Sequence, residues 1–324
     1  MEVIKMSDLE KIFFPFYEEN LNTIRKNSNI EFAYYSSLEV IHYILTDGVI
    51  WLRNASCMND WKEIHRGKEL FLKYFSIGSN KQKLVEILKK INETFPWEDN
   101  LYSLIQDFPA AMLYDAYIAS LTEHEKDNDS SGKLSMWRGY GRGIGGAVIL
   151  KKDEVLSRDI SGVCLTKVAY FTYNEFAESF NLLIEQMAEN LLFLKNIEPA
   201  VVWEYLQRAI VFAIISIKDP GFKEEREWRL VCFDSCLNKA GDILKPDKVV
   251  INGVLQKIYK LNIRKLLPTL LDHVIIGPTQ YGIIAYTALK EDILELYKNQ
   301  KYIPENLVRE KLNYSTIPIR PDYL

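Results

Sequence analysis

The sequence predicts an α+β fold, on three observations. Short apolar strands are scattered among helical stretches of unequal length, no segment repeats at a fixed period, and no low-complexity linker divides the chain. Residues 1–324 therefore read as one elaborated domain built on a single mixed sheet, with helical insertions at approximately 61–105 and 174–217.

Residues 7–27 carry an apolar stripe (Leu9, Ile12, Phe13, Phe16) and read as helix despite Pro15 near the middle. Glu31–Tyr35 is short, aromatic and apolar, a strand. Ser36 or Ser37 then caps a helix over Leu38–Leu45, which Asp47-Gly48 stops. Val49–Leu52 is the next strand. From Trp61 to about Ile105 the pattern is helical, punctuated near Gly78-Ser79-Asn80 and at Pro96. Ala116–Thr122 is a strand, and Glu123–Gly132 is polar and exposed. Gly146–Leu150 and Cys164–Phe171 are strands. Tyr173–Ile217 holds two long amphipathic helices, with Leu183, Met187 and Leu191 on one face. Trp228–Phe233 and His273–Ile276 are strands, and Tyr281–Tyr297 is a helix.

Composition excludes several classes. Hydrophobic residues are 48% and charged residues 26%, so the chain is not disordered throughout. A net charge of -4 disfavours a protein held on nucleic acid by bulk electrostatics, though a local basic groove stays open. The best apolar run, Ala209–Ile217, is bracketed by Arg208 and Lys218 and falls short of the roughly 18–20 residues of a membrane span. Acids near the N-terminus do not suit a secretory signal, and four cysteines do not make a disulfide framework. These features predict a cytoplasmic protein with no membrane contact.

Some motifs fail on context. Gly141–Gly146 satisfies G-x-G-x-x-G literally, but it precedes a strand, whereas pyrophosphate binding needs a following helix N-terminus. Five of the 15 glycines nevertheless lie within residues 139–146, so backbone there approaches something closely, either packing or ligand. Cys232 and Cys236 lack a second pair at zinc spacing, and the four histidines stand far apart; no metal is expected.

Four constellations survive. If a strand begins near Glu225, its period of two aligns Glu225, Glu227 and Arg229 on one face, with Arg226, Trp228 and Leu230 on the other. The alternative is a solvated edge with an exposed ion pair. Tyr34-Tyr35-Ser36 places rings and hydroxyls at a strand end, facing a cleft or filling an aromatic core. Arg53-Asn54 stands near Asn59-Asp60 and Glu63, where Asn59-Asp60 can equally cap a helix. Met136-Trp137-Arg138-Gly139-Tyr140 sets two aromatics beside the glycine run, suited to a flat heteroaromatic ligand or to packing.

In this order the segments resemble the uncharacterised bacterial DUF2971 family. Its members show a Tyr-His-Tyr-Thr-like strand, an Asn-Asp-Pro-x-Glu-like helix start, Met-Trp-x-x-Tyr, a Gly-rich strand, Glu-x-Glu-x-Arg and Ile-Ile-Gly-Pro. This chain offers Tyr34-Tyr35-Ser36, Asn59-Asp60-Trp61-Lys62-Glu63, Met136–Tyr140, Gly145–Ile149, Glu225–Arg229 and Ile275-Ile276-Gly277-Pro278, spanning roughly residues 31–278. The opening strand, hydroxyl residue, short helix and Gly-ended turn are similar, more loosely, to ADP-ribosyltransferase-like domains.

That second resemblance implies a split sheet holding NAD as substrate in its cleft. Tyr34, Tyr35 and Ser36 would line the NAD site, with Tyr34 where such domains carry His. Arg53 or Arg138 would meet the pyrophosphate, and Trp137 and Tyr140 would flank nicotinamide or acceptor. Glu227 would be the catalytic carboxylate, preferred over Glu225 as deeper in the strand, while Glu225 orients Arg229. The implied activity is transfer of ADP-ribose from NAD to a nucleic acid or protein acceptor, in a toxin or phage-defence setting with an antitoxin or other protein partner. The alternative is a non-catalytic nucleotide-binding or protein-interaction module.

Overall fold

A computed structural model describes residues 8–57, 62–106, 115–141, 144–158, 162–234, 243–298 and 306–318. Its strands are β1 (Ile30–Ser37), β2 (Val49–Asn54), β3 (Ala116–Glu125), β4 (Gly145–Leu150), β5 (Cys164–Lys167), β6 (Ala169–Tyr170), β7 (Ile217–Lys218), β8 (Glu227–Phe233), β9 (Leu244–Ile251), β10 (Val254–Asn262), β11 (Leu271–Ile276) and β12 (Leu312–Tyr314). Helices alternate with them irregularly, giving a mixed α/β chain with one large mixed sheet. The chain divides into two compact units, each assembled from three segments.

The first unit comprises Met1–Thr23, Asn54–Ala116 and Thr166–Lys223. It contains both stretches that the sequence assigns to helical insertions. The first stretch forms three helices, Lys62–Ser76, Gly78–Ile91 and Trp97–Gln106, broken near Gly78 and before Trp97 as the punctuation predicts. The second forms Tyr173–Glu189 and Pro199–Ile215, with a short turn of helix between them. Thr172 and Glu175 close a capping box at the start of Tyr173–Glu189, satisfying N–H groups that the first helical turn leaves free. The aromatic residues Phe71, Tyr74, Phe75, Phe176 and Phe180 pack at the centre. Tyr74 Oη donates to Asn181 Oδ1 at 2.7 Å, so its buried hydroxyl is paired. Pro15 does not sit inside a helix. It begins a second one, Pro15–Lys26, after Asp8–Phe13 ends, because proline lacks the N–H that a helix interior needs.

The second unit comprises Ile24–Arg53, Tyr117–Leu165 and Glu224–Leu324, and it carries the sheet. Strand order is β12-β11-β4-β1-β3-β2-β10-β9, with β8 also paired to β3. β11 and β12 run parallel, while β1 is antiparallel to both β3 and β4. The helix Leu38–Asp47 follows β1 as expected: Ser37 caps it, accepting from Val40 N–H, and Gly48 ends it at a φ of 67°. β9 and β10 form a hairpin around Asn252-Gly253, both with positive φ, which the sequence reading does not include.

The register of β1 differs between its two edges. Its pairing with β3 ends at Ala33↔Thr122, whereas its pairing with β4 continues to Ser37↔Gly145. Tyr34–Ser37 therefore run on beside β4 after the β3 register has ended.

Candidate functional site

β8 begins at Glu227, not near Glu225. Pro220–Glu225 is a 3-10 turn, and Arg226 takes a φ of 47°, in the left-handed region that side chains rarely adopt. Strand alternation thus starts one residue after Arg226, and Glu225 falls outside it. The predicted alignment of Glu225 with Glu227 and Arg229 is corrected to Glu227 and Arg229, because the turn breaks the period of two.

Within the strand the alternation holds. Glu227 and Arg229 share a face and are buried, at 2% and 1% exposure. Arg229 Nε donates to Glu227 Oε1 at 2.8 Å, and a terminal Arg229 nitrogen donates to Oε2 at 3.1 Å. Ser120 Oγ, from β3, donates to Glu227 Oε1 at 2.5 Å. A carboxylate is thus held at a fixed angle by a guanidinium two residues on and a hydroxyl from the neighbouring strand.

The opposite face is also charged. Glu123, on β3, is buried and accepts from Arg226 Nε at 2.9 Å and from Trp228 Nε1 at 2.9 Å. Arg226 reaches Glu125 as well, and Glu123 N–H donates to Arg226 C=O at 3.1 Å. Residues 226 and 228 both grip Glu123, which leaves 227 and 229 on the other side. Lys133 Nζ donates to the Glu123 carbonyl at 2.8 Å; burial pulls the lysine pKa down, against the pull of Asp129.

The glycine run and the aromatic motif meet in one place. Trp137, 1% exposed in the helix Leu134–Tyr140, lies edge-on to Tyr35 with ring centroids 4.9 Å apart. Its Nε1 donates to Ser131 C=O at 3.0 Å, and Lys133 N–H donates to Tyr35 Oη at 3.1 Å. Glycines box the tryptophan: a Cβ would stand 2.3 Å from the indole at Gly132, 3.3 Å at Gly145 and 3.1 Å at Gly277, and 2.5 Å from the Trp137 carbonyl at Gly141. Of the five glycines in 139–146, Gly141 and Gly145 pack against Trp137 and Gly146 against Leu38 and Ile41, while a Cβ at Gly139 would meet nothing within 4 Å. Ala33, Met136, Ala147, Ile149 and Ile275 complete the cluster, with Tyr140 and Ile317 against it.

Adjacent strand residues face opposite ways, so Tyr34 and Tyr35 do not line one surface. Tyr35 joins the Trp137 cluster. Tyr34 and Ser36 lie on the other side, where Gly146, the register partner of Ser36, abuts Ile41 of the helix Leu38–Asp47. Tyr34 does meet Arg53 electrostatically: burial raises the phenol pKa, and the nearby Arg53 charge opposes the rise. Arg53 also donates to Gln256 Oε1 at 3.4 Å. Arg138 is exposed at the end of its helix, and Tyr140 is half-buried. Asn59, Asp60, Arg142, Gly143 and Cys236 lie outside the described residues.

Sequence reading missed three participants: Ser120, Glu123 and His124. Ser120 looks like any strand serine, and Glu123 and His124 begin the stretch read as an exposed loop. The continuation of β3 to Glu125 buries both. His124 is 2% exposed, its ring lies 5.7 Å from that of His273, and its Nδ1 has no hydrogen-bond partner. Burial, with the nearby His273, lowers its pKa to about 4. Among the described residues no His, Cys, Asp and Glu group is arranged to hold a metal ion, and no helix is long and apolar enough to cross a membrane.

No curated protein and no solved structure matches the chain. A family model does. The match runs from Met136 to Leu230 and so takes in the aromatic motif with Trp137, the glycine-rich strand and Glu225–Arg229 with the Glu227–Arg229 pair. Over residues 136–230 the chain matches the model of the family described as a protein of unknown function, DUF2971.

Proposed function

We propose that this chain is an ADP-ribosyltransferase-like protein that takes NAD as substrate, with Glu227 as the catalytic carboxylate. The observation that carries the reading is the Ser120–Glu227–Arg229 constellation. A carboxylate is fixed in place on the sheet in which β1 and β3 end their pairing at Ala33↔Thr122. Tyr34 and Arg53, which interact electrostatically, lie across the sheet from Glu227, so on the Glu227 face the nicotinamide would meet the Tyr35–Trp137–Tyr140 cluster. In the reaction the bond from C1′ to the nicotinamide nitrogen breaks, its electron pair neutralising the departing pyridinium. The acceptor bonds to C1′ and gives up its proton. Glu227 would stabilise the oxocarbenium-like charge that develops between these events. The acceptor is a nucleic acid base, a protein side chain or water, in keeping with a toxin or phage-defence role.

One observation favours a second reading. Both Glu227 oxygens already accept hydrogen bonds within the protein, and the residue is almost fully buried. A non-catalytic nucleotide-binding module of the DUF2971 family would use the pair to shape its sheet.

Thermal melting with and without millimolar NAD, alongside an assay for released nicotinamide, separates the two. A ligand at ten times its Kd adds roughly 1.4 kcal/mol to native stability. A transferase melts higher with NAD and releases nicotinamide, and Glu227→Gln abolishes the release while keeping the melting shift. A melting shift without release supports the binding module. The absence of any shift at saturating NAD would sink the transferase and leave a module for another nucleotide or a protein partner.

A further inference from the structure

After β12 the chain continues through Ser315–Pro318 without helix or strand. Its attachments are specific. Ser315 N–H donates to Ile276 C=O at 2.8 Å, and Ser315 Oγ donates to Ser131 C=O at 2.6 Å. The hydroxyls of Ser131 and Thr316 share a hydrogen bond at 2.6 Å, and Ile317 N–H donates to Ser315 Oγ at 3.3 Å. This turn seats Ile317 against the Tyr35–Trp137 cluster, alongside Tyr140. The carbonyl of Ser131 serves two donors at once, the tail's Ser315 and the indole of Trp137.

We propose that residues 315–317 form a strap that opens over the Tyr35–Trp137–Tyr140 cluster without unfolding the sheet. Hydroxyl contacts and a half-buried isoleucine hold it, whereas the cluster beneath rests on paired strands and close-packed glycines. Segments held so lightly open locally, at lower free energy than global unfolding. When the strap leaves, Ser131 C=O keeps the indole bond, so no buried donor is orphaned. What it uncovers is the part of the aromatic cluster on which Ile317 packs, a surface suited to a planar aromatic ring. By strand alternation Tyr35, Thr122 and Ser120 share a face, so the strap covers the side of the sheet that bears Glu227. Its bearing on Glu227 rests on the NAD reading; the opening itself does not.

The test staples the strap. Ser131→Cys with Thr316→Cys places two thiols where hydroxyls now touch, within disulfide reach, in full-length protein carrying Cys164→Ser to remove an exposed thiol. Hydrogen exchange is measured at the Ser315 and Ile317 amides, with the Val148 amide of β4 as internal reference. Oxidation is expected to slow the first two at least tenfold and leave Val148 unchanged. Equal rates in the oxidised and reduced forms overturn the proposal. A second variant, Ile317→Asp, is expected to speed Ser315 amide exchange at least tenfold while Val148 holds. If Val148 accelerates with it, the segment is part of the core and the strap does not exist. None of these readouts involves NAD.

Discussion

Two buried clusters in the sheet-bearing unit answer the cost of burial in opposite ways. The Trp137 cluster is apolar and depends on shape: four glycines make room for one tryptophan and its backbone, and the two polar atoms of Tyr35 and Trp137 are each paired to backbone. The β8 region depends on charge. Glu227 pairs with Arg229 on one face and Glu123 with Arg226 on the other. Apolar packing at such a density stabilises directly. A buried ion pair loses hydration that its mutual attraction only partly offsets, so its presence is weak evidence of a stabilising purpose. On the transferase reading proposed above, β8 rather than the aromatic motif would be the place where chemistry chose the residues.

The largest effects would come from breaking either cluster singly. Trp137→Ala empties the box and is expected to cost about 3–5 kcal/mol in urea unfolding. Arg229→Ala leaves Glu227 buried without its partner and is expected to cost a similar ~3–5 kcal/mol. The double replacement separates the two cases. Glu227→Leu with Arg229→Met should restore wild-type stability or exceed it, and a double variant as unstable as Arg229→Ala would show that the ion pair itself holds the fold.

Acid supplies the next effect. The His124 pKa stands at about 4 in the folded chain against an ordinary 6.5, so the unfolded state takes up the proton first as pH falls. Its contribution is complete above pH 6.5 and is lost between there and about pH 4, amounting to ~3 kcal/mol at most. Unfolding measured across that window in His124→Gln should show a shallower decline than wild type; parallel curves would remove His124 from the account. The smallest effect tests the box itself. Gly145→Ala puts a methyl 2.8 Å from the Cα of Gly141, so backbone must shift, for about 1–3 kcal/mol. The same change at Gly78, which has nothing within 4 Å, should not destabilise the fold.

Much of the local structure was legible in the residues. Ser37 and Gly48 bound their helix because a side-chain acceptor and a left-handed glycine are local needs met by local residues. Gly78 and Pro96 marked the helical breaks for the same reason. The hairpin at Asn252-Gly253 was equally legible and went unread, since Lys245, Asp247, Lys248, Lys257 and Lys260 mask its alternation. Pro15 reads as lying inside one helix, but it begins a second one, because a missing N–H is tolerated in the first turn.

The site divides along the same line. Alternation alone put Glu227 and Arg229 on one face, because a strand's period of two is a property of its backbone. Where that period begins was decided by Arg226, whose left-handed φ is held by Glu123 and Glu125 from about 100 residues away in the chain. The glycines announced a close approach, but what approaches Gly141 and Gly145 is a tryptophan, and what approaches Gly146 is Ile41, both delivered by the fold. Ser120 and His124 carry no local signal, since a hydroxyl or an imidazole becomes chemically distinctive only by what it faces. Sequence by itself determined the caps, the breaks and the faces of single strands, all of which depend on neighbours a few residues away. Tertiary structure decided which faces meet, because pairing between β3 and β8 or between Tyr35 and Trp137 is set by contacts across the whole unit.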